Sequence, residues 1–316
     1  MCNFKFTGKS VALRYWLLLQ LVVLTFGCST TPESAGPDAG PLSLPGYELG
    51  TTYVYSNGTW ETVVGISSQL VTWQDHRGNV SNRSPDFTYR SVNWKTDSRQ
   101  GSRQIAARSD ALVKNNTSLW PLQRGNVSKF MEIVTSGNIG EPVKSYTVNW
   151  TCEVIGTERI AVMAGEFDTW KITCKRYNNF QNPSKARIQE TRTWNYAPEI
   201  EHYVLTERQY PGGKAATRLE LLAILPPIDG FSDLIRRQIG SAFQMALEYK
   251  KRGETAAWSE SNTSGSGQIT PTETFRLPDG RYSRRYIQKV KYPDGQRIYY
   301  GLAVRDSNGL WIIPRR

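Results

Sequence analysis

The sequence predicts a mainly β protein of the α+β class: a long antiparallel sheet followed by a smaller unit of one helix and more antiparallel sheet. Three observations carry this. From Tyr47 to about Pro226, short segments alternate apolar and polar residues, with turn residues between them. One stretch, Ser232 to about Lys250, repeats apolar residues at helical spacing. Beyond it the alternation returns, punctuated by Asp279-Gly280 and Asp294-Gly295. The chain has 316 residues, 11% of them aromatic. That is long enough for two units and rich enough in large apolar side chains to fill both cores.

The first residues carry Lys5, Lys9 and Arg14, then an apolar run from Trp16 to Leu24, then Gly27-Cys28-Ser29. This is the order of an export signal, positive then apolar then small. Tyr15 to Gly27 is shorter than the roughly 20 residues needed to cross a bilayer. A cysteine directly after the small residue resembles a bacterial lipoprotein signal. The resemblance implies removal of residues 1–27, acyl groups on Cys28 and attachment to a membrane outside the cytoplasm. Ser29, where Asp would hold such a protein at the inner membrane, implies the outer membrane. Ordinary secretion with a free Cys28 thiol is the alternative. Residues 28–46 are rich in Pro, Gly and Ser without periodicity, as in a tether. The expected organisation is a signal at 1–27, the tether at 28–46, a β unit at 47–226 and the helix-plus-sheet unit at 227–316.

The formal net charge is +11, and the signal removes only three of the basic residues. Expected partners are the membrane through Cys28 and, for a basic envelope protein, lipid, lipopolysaccharide or peptidoglycan. A solvated basic surface without a partner fits equally. Nucleic acid is not expected outside the cytoplasm. Four cysteines occur. Cys2 leaves with the signal and Cys28 takes lipid, which leaves Cys152 and Cys174 as a pair in an oxidising compartment. The two histidines, His76 and His202, lie far apart, and no metal-ligand spacing occurs. No cofactor is expected.

Within the β unit, Thr52–Tyr55 runs into Asn57-Gly58, the strongest short hairpin signal, with both positions expected at positive φ. Leu70–Trp73 then turns at Gln74–Asn79, which puts His76 at a loop tip beside Asp75. Further on, Val148, Trp150, Cys152 and Val154 share one parity, as do Trp170, Ile172 and Cys174. Strand side chains alternate faces. Both cysteines therefore sit on the aromatic, inward face, where they either bond or pack as two buried thiols. A bond closing a loop of about 20 residues stabilises by roughly 3 kcal/mol.

The run Ala164-Gly165-Glu166-Phe167-Asp168-Thr169-Trp170-Lys171-Ile172, with Trp194-Asn195-Tyr196-Ala197-Pro198-Glu199-Ile200, resembles proteobacterial envelope domains of unassigned function. Those are similar in shape to lipoprotein-localisation half-barrels. The resemblance implies that residues 47–226 form a curved antiparallel sheet or half-barrel around an apolar groove for acyl chains. Trp60, Trp73, Trp94, Trp150, Trp170 and Trp194 are its natural lining; ordinary core packing is their other role.

Leu225–Gly230 breaks the alternation. In the helix that follows, capped by Ser232 or Asp229, the apolar face is Ile235, Ile239, Ala242, Phe243, Ala246 and Leu247. Four or five strands follow. Ala257-Trp258-Ser259, Gly267-Gln268-Ile269-Thr270-Pro271-Thr272-Glu273-Thr274-Phe275, Gly280-Arg281-Tyr282-Ser283-Arg284-Arg285-Tyr286 and Tyr300-Gly301-Leu302-Ala303-Val304-Arg305 together resemble the seventeen-kilodalton common surface-antigen family of outer-membrane lipoproteins. The resemblance spans about residues 232–314. Its relatives commonly carry cysteine where this chain has Ser283 and Val304, so a mutual disulfide is absent here. No chemistry is established for that family. Basic residues interleave with tyrosines on these strands. Arg284, Arg285, Lys289 and Tyr286 are candidates for binding an anionic polymer by charge and stacking.

Catalysis has little support. The sequence shows no Ser-His-Asp order, no metal cluster and no phosphate loop. Glu199 and Glu201 lie on an expected strand with no visible environment to raise a carboxyl pKa. The expected function is a non-enzymatic, outer-membrane-anchored envelope protein with a structural or binding role. The alternatives are an acyl-chain carrier in the N-terminal sheet and a binder of anionic envelope polymers on the C-terminal sheet.

Overall fold

The computed structural model describes residues 42–89, 91–107, 118–178, 186–259 and 265–315. The expected signal peptide, Cys28 and most of the tether lie outside the described residues. Twelve strands come first: β1 (Thr52–Tyr55), β2 (Trp60–Ile66), β3 (Val71–Asp75), β4 (Val80–Arg83), β5 (Asn93–Lys95) and β6 (Arg99–Ala107). They continue with β7 (Val127–Asn138), β8 (Lys144–Val162), β9 (Gly165–Tyr177), β10 (Ile188–Ala197), β11 (His202–Gln209) and β12 (Thr217–Leu225). Each pairs antiparallel with the next, and β12 returns to pair with β1, Ala223 opposite Val54. The result is a closed up-and-down ring. The sequence resemblance implied a half-barrel; here the curvature runs to closure, which leaves the ring no free edge strand. Bulges supply the bending. Register shifts occur at Val54/Tyr55, Val63/Gly65, Val154/Gly156 and Asn195/Tyr196, and a bulge kinks and twists the strand that carries it.

The hairpin at Asn57-Gly58 forms with different geometry from that expected. Only Gly58 has positive φ, at 82°, and the Tyr55 N–H donates to the Thr59 carbonyl at 2.9 Å. Asn57 Oδ1 accepts from both the backbone N–H and the hydroxyl of Thr59. The asparagine thus closes the turn through its side chain instead of adopting positive φ itself.

Next comes α1 (Asp233–Tyr249), followed by β13 (Ala256–Ser259), β14 (Ser266–Arg276), β15 (Tyr282–Tyr292), β16 (Gly295–Arg305) and β17 (Trp311–Ile312). Ser232 caps the helix, its hydroxyl accepting from the Ile235 N–H. Ile235, Ala242, Ala246 and Leu247 are its buried face. They pack with Trp258, Ile269, Tyr286 and Val290 of the five-stranded antiparallel sheet.

The ring and this layer share a core and belong to one compact unit, Gly36–Arg316. One bridge joins the sheets: Ala223 of β12 opposite Gly301 of β16. Around it Val54, Leu222, Ala223 and Leu302 bury one another. Gly301 is required by close approach, because a Cβ there would lie 2.5 Å from the Tyr286 hydroxyl. Phe167 of β9 meets Tyr300 edge-on at 5.2 Å. The Tyr299 hydroxyl donates to Glu48 at 2.9 Å.

Candidate functional site

Side chains from β1, β2, β3, β4, β6, β10, β11 and β12 converge on one cavity of about 470 Å³, which is therefore the lumen of the ring. At one end, connecting segments pack against the strands. Phe87 stacks on Tyr196 at 5.4 Å, and Trp120 meets Tyr196 edge-on at 5.4 Å. Leu119 and Leu122 bury themselves against the same cluster. Towards the other end the lining includes Thr59 and His76, from the β1–β2 and β3–β4 turns, and Asp75 at the end of β3.

His202 is the most enclosed polar group of the lumen. It is 1% exposed and sits among Tyr47, Tyr53, Tyr55, Trp73 and Tyr203, with ring centroids 4.0 to 6.5 Å away. The Tyr55 hydroxyl lies 3.2 Å from its Nε2 and 3.2 Å from the Tyr203 hydroxyl. His202 Nδ1 is buried with no hydrogen-bond partner among the described residues. Burial, and then the nearby Arg83 charge, hold the imidazole well below its ordinary pKa, so it is neutral at pH 7. Burial pushes the Tyr55 hydroxyl well up, so it stays a donor.

Arginines supply the charge. Arg83 grips Glu61 with both terminal nitrogens, at 2.8 and 2.5 Å. Arg103 lies over Trp94 at 4.3 Å and donates to the Ser91 carbonyl. Arg192 is 4% exposed, packs over Trp150 and pairs with the buried Glu190. Arg208 stands directly opposite Arg192 across β10–β11. Such a lining is polar and aromatic. It does not match the apolar groove for acyl chains that the sequence resemblance implied: four arginines, two carboxylates and two histidines border the space. Desolvating such groups against a hydrocarbon chain is costly.

The tryptophans divide. Trp60, Trp73 and Trp194 line the cavity. Trp150 is 3% exposed and donates its ring N–H to Glu132 at 3.0 Å. Trp170 packs half-buried on the core beneath, and Trp94 borders surface hollows. Cys152 and Cys174 are directly opposed on β8 and β9 and bonded, with Cα atoms 3.9 Å apart and both side chains buried.

Of the four residues put forward for anionic polymers, three are engaged inside the fold. Arg284 is 7% exposed and donates to the last helical carbonyls, Leu247 at 2.5 Å and Lys250 at 2.8 Å. It is the C-terminal cap of α1, where a cation also meets the helix dipole. Arg285 donates to the carbonyls of Val162 at 3.0 Å and Met163 at 3.1 Å, and pairs with Glu273. It ties the sheet to the β8–β9 turn. Tyr286 is 1% exposed against Phe243. Lys289 alone is exposed, beside an open groove of about 790 Å³ between α1 and β13–β15. β-strand alternation is broken as a surface guide here, because both faces of β15 are covered over Ser283–Tyr286.

Glu199 and Glu201 lie at the β10–β11 connection, around the short 3-10 turn Pro198–Ile200, and not on a strand. Burial raises both carboxyl pKa values. Glu199 accepts from the Tyr300 hydroxyl and Glu201 from the Gly46 N–H, so they serve as joints between segments. Among the described residues no group of three or more His, Cys, Asp or Glu could hold a metal ion, and no helix is long and apolar enough to cross a membrane.

The lumen residues were only partly visible in the sequence. Glu190, Arg192, Trp194 and Tyr196 share one strand parity. Two charges on an aromatic face was the available signal for a polar interior. That β4 and β11 would bring Arg83 and Arg208 to the same space needed the ring closure.

Among solved structures, the chain is similar to the hypothetical lipoprotein YmcC of Escherichia coli, with 10% identity over 54% of this chain and 82% of that one. The TM-score is 0.35, too low to establish a common fold. Among curated proteins, the 17 kDa surface antigen of Rickettsia felis is 34% identical over 84 residues, 27% of this chain and 53% of the relative. That of Rickettsia conorii is 33% identical over the same length, and that of Rickettsia prowazekii 34% over 78 residues, 49% of the relative. The chain spans about half the length of these curated relatives. Residues 245–312, from the last five residues of α1 through β17, match the family model described as 17 kDa outer membrane surface antigen.

Proposed function

We propose that this chain is a non-enzymatic protein of the cell envelope, exported and held at the outer membrane by acyl groups on Cys28, with a structural or binding role. The observation that carries this reading is the match of residues 245–312 to a family described as an outer membrane surface antigen. Two further features support it. The chain opens with basic residues, an apolar run and Gly27-Cys28 in the order of a lipoprotein signal. A bonded Cys152–Cys174 pair suits an oxidising compartment. The ring and the C-terminal layer belong to one compact unit.

The test is metabolic labelling with a palmitate analogue, followed by membrane fractionation, in a Gram-negative host. The expected outcome is label on the wild-type chain in the outer-membrane fraction, and an unlabelled chain after Cys28→Ser. An unlabelled wild-type chain in the soluble periplasm would overturn the anchoring. Recovery in the cytoplasm with Met1 retained would overturn the envelope reading as a whole.

A further inference from the structure

Two arginines stand opposite one another across β10–β11 at the lining of the lumen, the buried Arg192 and the exposed Arg208. Arg192 and Arg208 are register partners across β10–β11, and both line the lumen cavity. Like charges directly opposite on a sheet face repel. Glu190 answers Arg192, but the same carboxylate also takes Arg176 at 3.4 Å. Nη2 of Arg192 remains buried with no hydrogen-bond partner among the described residues. Among the described residues, no hydrogen bond or ion pair holds the Arg208 side chain. The carboxylates that do line the cavity are engaged elsewhere. Glu61 is gripped by Arg83, and Asp75 accepts from Asn79 and from the Arg77 N–H in its own turn.

A second polar atom in the same cavity is also unsatisfied: His202 Nδ1, on a side chain 1% exposed. A buried group without a partner costs about 1–3 kcal/mol. Native proteins leave few of them unless water or a ligand completes the set. Between these polar atoms the wall is aromatic, with Trp73, Phe87, Trp194 and Tyr203 bordering the space. Its volume of about 470 Å³ falls in the range of about 300–1,000 Å³ that small-molecule sites occupy.

We propose that the lumen is a binding site for a small anion, a carboxylate or phosphate monoester carried on a compact ring. The anionic group bridges Arg192 and Arg208, which turns their repulsion into two charge-assisted hydrogen bonds. The ring lies against the aromatic wall, and a polar substituent meets His202. The site needs no particular compartment and holds whether or not the chain is anchored through Cys28.

Isothermal titration calorimetry on the full chain in mild detergent tests this with three probes of one shape: benzoate, phenyl phosphate and benzyl alcohol. The expected result is saturable binding of benzoate or phenyl phosphate, with benzyl alcohol weaker by about tenfold or more. Whichever anion binds more tightly identifies the head group. Arg208 is exposed, so Arg208→Gln is expected to fold normally and to weaken the anion by about tenfold, while Arg208→Lys keeps part of the affinity. Arg276→Gln, on an exposed arginine of the C-terminal sheet, is expected to leave binding unchanged. Failure of both anions to bind saturably would overturn the proposal. So would equal binding of benzyl alcohol, or an equal loss in Arg208→Gln and Arg276→Gln.

Discussion

At Arg284, an arginine that reads in the sequence as a surface cation is engaged within the fold, capping the last turn of α1. Strand alternation assigns a face, not the presence of a helix end beside it, so the sequence carried no sign of this role. Ser283, its neighbour, is fully buried with an unpartnered hydroxyl. His202 is the residue whose environment has the clearest consequence for pH. Its pKa in the fold lies well below that of the unfolded chain, so below about pH 6.5 the unfolded state binds a proton that the folded state refuses. Stability therefore falls as pH drops through that value, by about 1.4 kcal/mol at one unit below. The groups facing the ring are Tyr47, Tyr53, Tyr55, Trp73 and Tyr203, with Arg83 beyond, and none offers a carboxylate to hold the proton. Urea unfolding at pH 7.0 and 5.5 is expected to show that loss in the wild type and not in His202→Gln. Equal losses in both would mean that the imidazole is charged in the fold.

Among the elements, β8 and β9 were the most legible. The shared parity of Trp150, Cys152, Ile172 and Cys174 put both sulfurs on the inward face, and the structure sets them opposite one another. Pairing partners were not written in either strand alone. Trp94, which reads as lining, stands on the short β5, lies over Gly101 of β6 and receives Arg103 on its ring, a local arrangement that periodicity does not carry. In the C-terminal sheet, the two positions where the surface-antigen resemblance implies cysteines, Ser283 and Val304, are direct register partners on β15 and β16. Both are buried, at 0% and 1% exposed. The double variant Ser283→Cys with Val304→Cys is therefore expected to crosslink spontaneously on air oxidation. Closing a loop of about 20 residues should raise stability by about 3 kcal/mol, a gain removed by dithiothreitol. Two alkylatable thiols after oxidation, read by mass mapping, would contradict the β15–β16 register.

At the scale of the whole molecule, the sequence implied a β chain with one helix, with a boundary expected near Pro226. It did not show that the first twelve strands close on themselves. Closure is a non-local fact: β1 and β12 lie some 170 residues apart, and nothing in Thr52–Tyr55 names Leu221–Leu225 as its neighbour. The same closure gathers Arg83, Arg192, Arg208 and His202 around one space, so the candidate site was legible only as scattered charges on aromatic strands. The junction with the C-terminal layer is likewise non-local, resting on Ala223 opposite Gly301 and on Arg285 reaching the β8–β9 turn. The seam between β1 and β12 thus decides whether the ring is closed. Hydrogen–deuterium exchange with peptide-level mass spectrometry reads it directly. A closed ring should protect amides of residues 52–56 and 217–225 as long as those of β8 and β9, whereas rapid exchange in both segments beside a protected β8–β9 pair would mean an open sheet and no enclosed lumen.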